Sequence, residues 1–272
     1  MDKQFVEVSG TRLAYLDTGG SGPTLLFVHG NSGSSANFKP QLESGLAAEF
    51  RLVALDLPGH GDSGRVPVTE YGLPFYARRL EGFATALDIA DAILVGWSLG
   101  GHVVLEAADA MAEAPGFVIF GTPPLGTAED MAEGFLPNPD FAAGMTGQLD
   151  EPQAAAYARS FLGNSGNPAL EAEFVAEILA TDPNARDGLG RSTSNPFVNE
   201  VELVARLERP LAIFHGAEER LVSLEFIRSL SMPSLWRGEV QVIEGAGHAP
   251  HLEQPEIFNR LLGEFAGQVS RS

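Results

Sequence analysis

Gly96-Trp97-Ser98-Leu99-Gly100 places a serine between two glycines, after the apolar run Ala92–Trp97 and before the helical pattern Leu99–Met111. A serine hydroxyl is a weak nucleophile unless it is held exposed and given a base. A tight strand-to-helix turn does the first, and flanking glycines let the chain turn without Cβ clashes. Without that context the pattern is only a glycine-rich turn with an idle serine. The context is present, and the chemistry it points to is acyl transfer through Ser98. Such chemistry needs a base, an acid to orient the base, and two donors for the developing oxyanion.

Six histidines compete for the base: His29, His60, His102, His215, His248 and His251. His248 ends Glu244-Gly245-Ala246-Gly247-His248, a loop between a strand and the last amphipathic helix, where small neighbours leave room for the ring. It is the expected base, with His251 the alternative. His102 lies one turn along the helix after Ser98, and His60 reads as a loop organiser. His29 and His215 read as structural histidines. The expected acid follows the run Leu211–Phe214, in His215-Gly216-Ala217-Glu218-Glu219-Arg220. Glu219 is preferred over its neighbour Glu218, and whichever is not used is a solvated acidic turn beside Arg220. The preceding strand is followed by Gly121-Thr122-Pro123-Pro124, which holds no carboxylate. The backbone N–H groups of Asn31, in the loop His29-Gly30-Asn31, and of Leu99 are the expected oxyanion donors.

These residues need a scaffold that brings loops together at one sheet edge. Gln4–Val8 and Arg12–Asp17 alternate apolar and polar residues around Ser9-Gly10, the pattern of a β-hairpin. Six continuous apolar runs follow: Thr24–Val28, Arg51–Leu57, Ala92–Trp97, Gly116–Phe120, Leu211–Phe214 and Glu239–Ile243. Such runs suit parallel strands buried on both faces. Helical patterns lie at Phe75–Leu87, at Leu99–Met111 and from Pro255 to Phe265. The expected class is α/β, a mostly parallel sheet flanked by helices. From about 127 to 205 the alternation stops, and helical segments appear at Ala128–Phe135, Pro152–Leu162, Leu170–Ala180 and Val198–Leu207. This predicts a core of residues 1–126 and 206–272 with a helical cap, 127–205, inserted between two strands.

The chain has 272 residues, of which 17 are basic and 36 acidic, a formal charge of −19. Residues 127–205 hold 3 of the basic and 13 of the acidic residues. Phosphate backbones and anionic bilayers would repel such a surface, so nucleic acid and membranes are not expected partners. There is no cysteine, which excludes disulfides, thiolate metal sites and a cysteine nucleophile. The start lacks a basic segment followed by an apolar one, which predicts a soluble, cytoplasmic protein.

The order Ser98, Glu219, His248 and the segments Gly96–Gly100, His29-Gly30, Asp56–Gly61 and Gly247-His248 resemble the α/β-hydrolase superfamily over about residues 4–267. A serine at position 98 disfavours the members that use an aspartate nucleophile, the dehalogenases and epoxide hydrolases. A finer likeness runs through the stretch 29–35, Gly96–His102, Gly121–Pro124, Tyr157-Ala158-Arg159-Ser160 and Ala246–Pro250. These segments look like the serine-dependent N-acyl-homoserine lactone hydrolases, the quorum-quenching lactonases of this superfamily. That resemblance implies a Glu as the triad acid at Glu219, no cofactor, and a small acyl lactone or ester as substrate. It implies that Trp97, Tyr157, Phe135, Phe141 and Met145 contact the substrate; for Phe135, Phe141 and Met145 ordinary helix packing is the competing reading. Metal-dependent lactonases need a His-x-His-x-Asp-His cluster, and His60-Gly61-Asp62 is the nearest approach, so no metal is expected. The alternatives are a general carboxylesterase acting on short acyl esters and a non-catalytic binding protein of the same fold. Acyl-chain preference and oligomeric state have no signal in the sequence.

Overall fold

The computed structural model describes residues 1–164, 166–192 and 197–271. Eight strands form one sheet in the order β1-β2-β4-β3-β5-β6-β7-β8. They are β1 (Gln4–Val8), β2 (Thr11–Asp17), β3 (Thr24–Val28), β4 (Arg51–Leu55), β5 (Ile93–Trp97), β6 (Phe117–Phe120), β7 (Leu211–Gly216) and β8 (Gln241–Ile243). The hairpin β1–β2 and the β2–β4 pair are antiparallel, and every pairing from β4 to β8 is parallel. All of β5, β6 and β7 is buried, as their unbroken apolar runs require.

The helices Leu73–Ala86, Leu99–Ala107 and Pro255–Val269 flank the sheet. The helix after Ser98 ends four residues short of the expected Met111. Arg209 explains the stop, because its guanidinium donates to the carbonyls of Ala108 and Met111 at 2.6 and 2.5 Å. That leaves both carbonyls satisfied without another helical turn.

Between β6 and β7 the chain runs through five α-helices among its described residues: Ala128–Gly134, Glu151–Ser160, Pro168–Ala180, Pro183–Ser192 and Glu200–Arg206. Within the expected cap, residues 165 and 193–196 lie outside the described set. Four of these helices answer to the four expected ones, with one correction. Phe135 is extended, not helical, and bridges to Val222 beyond β7. The following Leu136 donates its N–H to Leu221 O at 2.9 Å, and Pro137 favours that extended backbone.

The helix Pro183–Ser192 was not expected, because Asn184, Asp187, Gly188 and Gly190 all weigh against helix. Tertiary contacts override that propensity. Arg186, 2% exposed, donates to Thr146 O (2.9 Å), Gly147 O (2.6 Å), Ile178 O (2.8 Å) and Ser32 Oγ (3.2 Å). One guanidinium therefore ties three parts of the insert to the loop after β3. Replacing it with an apolar side chain would strand four acceptors, three of them buried. We expect Arg186→Met to lose roughly 2–4 kcal/mol, seen as a Tm lowered by roughly 5–10 °C in a thermal melt; an unchanged Tm would contradict this.

Candidate active site

Ser98 sits at the turn from β5 into the helix Leu99–Ala107 with φ 52° and ψ −117°. A non-glycine residue there is strained and must be held by its surroundings. The hold is visible on both sides. Ser98 N donates to Phe120 O at 2.8 Å, and Thr122 Oγ1 donates to Ser98 O at 2.9 Å. The helix lies so close to the sheet that a Cβ on Gly100 would stand 2.0 Å from Val28 O, and one on Gly96 would stand 2.4 Å from Gly100 O. Glycine at both positions is a steric requirement of the turn.

His248 lies across the end of β6 from Ser98: a Cβ on Gly121 would meet its ring at 2.8–3.3 Å. Its Nδ1 is 2.8 Å from Glu219 Oε2, and both side chains are 2% exposed. Glu219 Oε1 accepts the N–H groups of Arg220 (2.9 Å) and Leu221 (2.8 Å), so the carboxylate is oriented by backbone as well. Burial alone would raise the Glu219 pKa. The facing His248, His215 and these hydrogen bonds outweigh it and hold the group below its ordinary value. Glu218 turns the other way and accepts from Asn164 N in the insert. The two adjacent glutamates are thus separated by geometry.

With Nδ1 donating to a carboxylate, His248 Nε2 is the nitrogen free to act as a base. Ser98 Oγ makes no hydrogen bond with a described residue; contacts between a nucleophile and its base commonly tighten only with substrate. The backbone N–H groups of Asn31 and Leu99 likewise have no acceptor among the described residues. Both residues line the same cavity as Ser98.

The other cavity wall comes from the insert. Met131, Phe135, Phe141, Met145, Tyr157 and Leu189 line it, giving an apolar surface above a polar floor. Four of the five expected substrate-contacting side chains are therefore at the cavity, while Met131 and Leu189 had no chemical signal in the sequence. Trp97 is the departure. It is 1% exposed and absent from the cavity wall, and its Nε1 donates to His248 O at 2.7 Å. Trp97 holds the loop that carries His248, together with the Phe161 ring stacked 5.7 Å from the imidazole. Alternation along the strand sends Trp97 to the side opposite Ser98, away from the cavity. His102 was set aside, yet it lines the cavity.

A family model described as the alpha/beta hydrolase family matches residues 25–261. The chain belongs to that family. Among solved structures, a mutant of the N-acyl homoserine lactonase AidH complexed with N-hexanoyl homoserine lactone has a TM-score of 0.93 and 34% identity, covering 100% of this chain and 99% of the other. AidH complexed with N-butanoyl homoserine gives 0.92 at the same identity, over 100% and 98%. Among curated relatives, the pimeloyl-[acyl-carrier protein] methyl ester esterase of Stenotrophomonas maltophilia is 28% identical over 94% of this chain and 97% of its own. A 2-hydroxy-6-oxononadienedioate/2-hydroxy-6-oxononatrienedioate hydrolase of Paraburkholderia phymatum is 26% identical over 94% and 91%. The chain therefore stands among hydrolases, of which one is named for an ester and another for a lactone.

The remaining histidines of this hydrolase are packed. His29 accepts from Leu57 N at 2.9 Å and is pushed down to about 4, chiefly by burial; His60 is pushed down to about 3 by burial and by His29. Both are neutral in the fold near pH 6, where the unfolded chain binds more protons. Stability should therefore rise with pH and be lost as pH falls from about 6.5 toward 4, by about 1.4 kcal/mol per pH unit for each histidine. Urea midpoints measured across that window test this, and a flat profile would overturn it.

Proposed function

We propose that this hydrolase opens the lactone ring of N-acyl-homoserine lactones, with Ser98 as nucleophile, His248 as base and Glu219 as the acid that orients it. The coarser statement, a hydrolase of the ester-cleaving kind, rests on the family and its neighbours. The finer one is carried by one observation: likeness to AidH extends over the whole chain, the insert included, at 34% identity. The cavity is consistent with that reading, since a polar floor suits a lactone carbonyl and the apolar insert wall suits an acyl chain. The insert then serves as a cap over the site.

In this mechanism His248 Nε2 removes the Ser98 proton as Oγ attacks the lactone carbonyl carbon. The amides of Asn31 and Leu99 take the oxyanion, in a site where one such donor is typically worth on the order of 10²–10³ in rate. The ring C–O bond then breaks and the leaving oxygen receives the proton from His248. That hydroxyl stays attached to the acyl-enzyme. Water deprotonated by His248 attacks the ester carbonyl, the Ser98 Oγ–acyl bond breaks as His248 returns that proton to Oγ, and the N-acyl-homoserine leaves as its carboxylate. Glu219 stabilises the imidazolium throughout and fixes which nitrogen faces Ser98. Tyr157 lines the cavity with its phenol held protonated by burial, so it is available as a donor to lactone or amide.

A second reading, a carboxylesterase for short acyl esters, is favoured by the likeness to the pimeloyl ester esterase. Rates on acyl-homoserine lactones and aryl esters of matched chain length separate the two. The decisive assay follows ring opening by chromatography. Wild type should convert the lactone with EDTA present or absent, and activity lost to EDTA and restored by zinc would overturn the serine mechanism. Ser98→Ala should lower kcat by at least roughly 10⁴, and Glu219→Gln by on the order of 10³–10⁴. Retention of activity in Ser98→Ala would end the proposal. A fluorophosphonate probe should label wild type and not Ser98→Ala; an unlabelled wild type would favour a binding protein.

A further inference from the structure

A second histidine–carboxylate pair faces the cavity, on the other flank of Ser98. His102 lies in the first turn of the helix that follows Ser98, and both residues line the cavity. Its Nδ1 is 2.9 Å from both oxygens of Glu200. Glu200 is fully buried, and Oε2 also accepts Leu125 N at 2.8 Å. A carboxylate that already accepts a backbone N–H accepts from His102 as well, so the His102 proton sits on Nδ1. Nε2 then carries a lone pair, has no partner among the described residues, and belongs to a side chain that lines the cavity.

The catalytic chemistry described above leaves this pair unused. Ester attack needs donors at the carbonyl oxygen, and the amides of Asn31 and Leu99 supply them. An oriented acceptor within one helical turn of Ser98 fits a different group, an N–H of the substrate close to its reacting carbonyl. The Asn31 side chain is engaged elsewhere, its Nδ2 donating to Gly144 O at 2.5 Å and its Oδ1 accepting from Ser32 Oγ at 3.2 Å. We propose that His102 Nε2 accepts the amide N–H on the carbon next to the lactone carbonyl, and that Glu200 is the positioning residue that fixes its tautomer. This deepens the lactonase reading and rests on it. His102 makes the hydrolase select N-acylated lactones over lactones of similar size that lack the amide. A site built to hydrogen-bond a substrate N–H discriminates strongly against the analogue without one.

The test compares kcat/KM on N-hexanoyl-homoserine lactone and on a γ-alkyl lactone of matched length, for wild type, His102→Leu, His102→Gln and Glu200→Gln. The ratio of the two values should fall at least tenfold in His102→Leu and be partly restored in His102→Gln, which keeps an acceptor. Glu200→Gln should lower the ratio as well, through a weaker hold on the tautomer. Fluorophosphonate labelling of Ser98 in each variant reports an intact site independently of either lactone. A ratio unchanged in labelled His102→Leu, or equal losses on both lactones, would overturn this inference and leave the lactonase reading standing. If wild type opens neither lactone, both fall.

Discussion

Ser98 cannot relax, and the arrangement around it follows from that constraint. Its φ of 52° is tolerated because β5 and the next helix are clamped to β3 and β6 at contact distances that only Gly96 and Gly100 permit. The clamp places the Ser98 hydroxyl above the carboxyl ends of the strands. The same ends carry the loop with Asn31, Gly121 against His248, and the turn with Glu219. A parallel sheet brings residues from positions 31 to 248 to one edge because every strand from β4 to β8 points the same way. The strain is local, and its support is spread across three strands, β3, β5 and β6.

The insert is joined to the core by polar ties that are buried or partly buried. Glu177 accepts from Ser34 and Asn37, Asp182 from the Tyr71 hydroxyl, and Glu200 from His102. Arg186 donates to Ser32, next to Asn31. On the far side Glu253 receives Gly163 N and Gly247 N, both at 2.7 Å, linking the insert to the loop of His248. Two of these ties end directly beside the site, at Ser32 next to Asn31 and at Gly247 next to His248. The acidic excess of residues 127–205 is therefore only partly a solvated surface, since Asp182 and Glu200 are buried and Glu177 points at the core.

The core was legible because its signals are short-range. Continuous apolar runs mark strands buried on both faces, and the Gly-x-Ser-x-Gly turn announces its own geometry. The insert was legible as helices but not as a wall: which of its faces meets the cavity depends on contacts across a hundred residues. The helix Pro183–Ser192 shows the limit, because its two glycines argue against a helix and only the partners of Arg186 argue for one. Trp97 shows another. Adjacency to Ser98 in sequence is opposite direction in space, so the residue that looked like a substrate contact instead braces the histidine loop. His102 was weighed only as a base, and its partner Glu200 is 98 residues away.

Two histidines thus flank one serine, each with its Nδ1 toward a buried glutamate. Both pairs use one device: a buried carboxylate accepts the Nδ1 proton and turns Nε2 outward as an acceptor. Their placement distinguishes them. His248 comes from a loop after β8, across the end of β6 from Ser98. His102 stands in the first turn of the helix that follows Ser98 and lines the cavity with it. In the proposed mechanism the proton transfers fall to His248, which leaves His102 to read what is attached beside the reacting carbonyl.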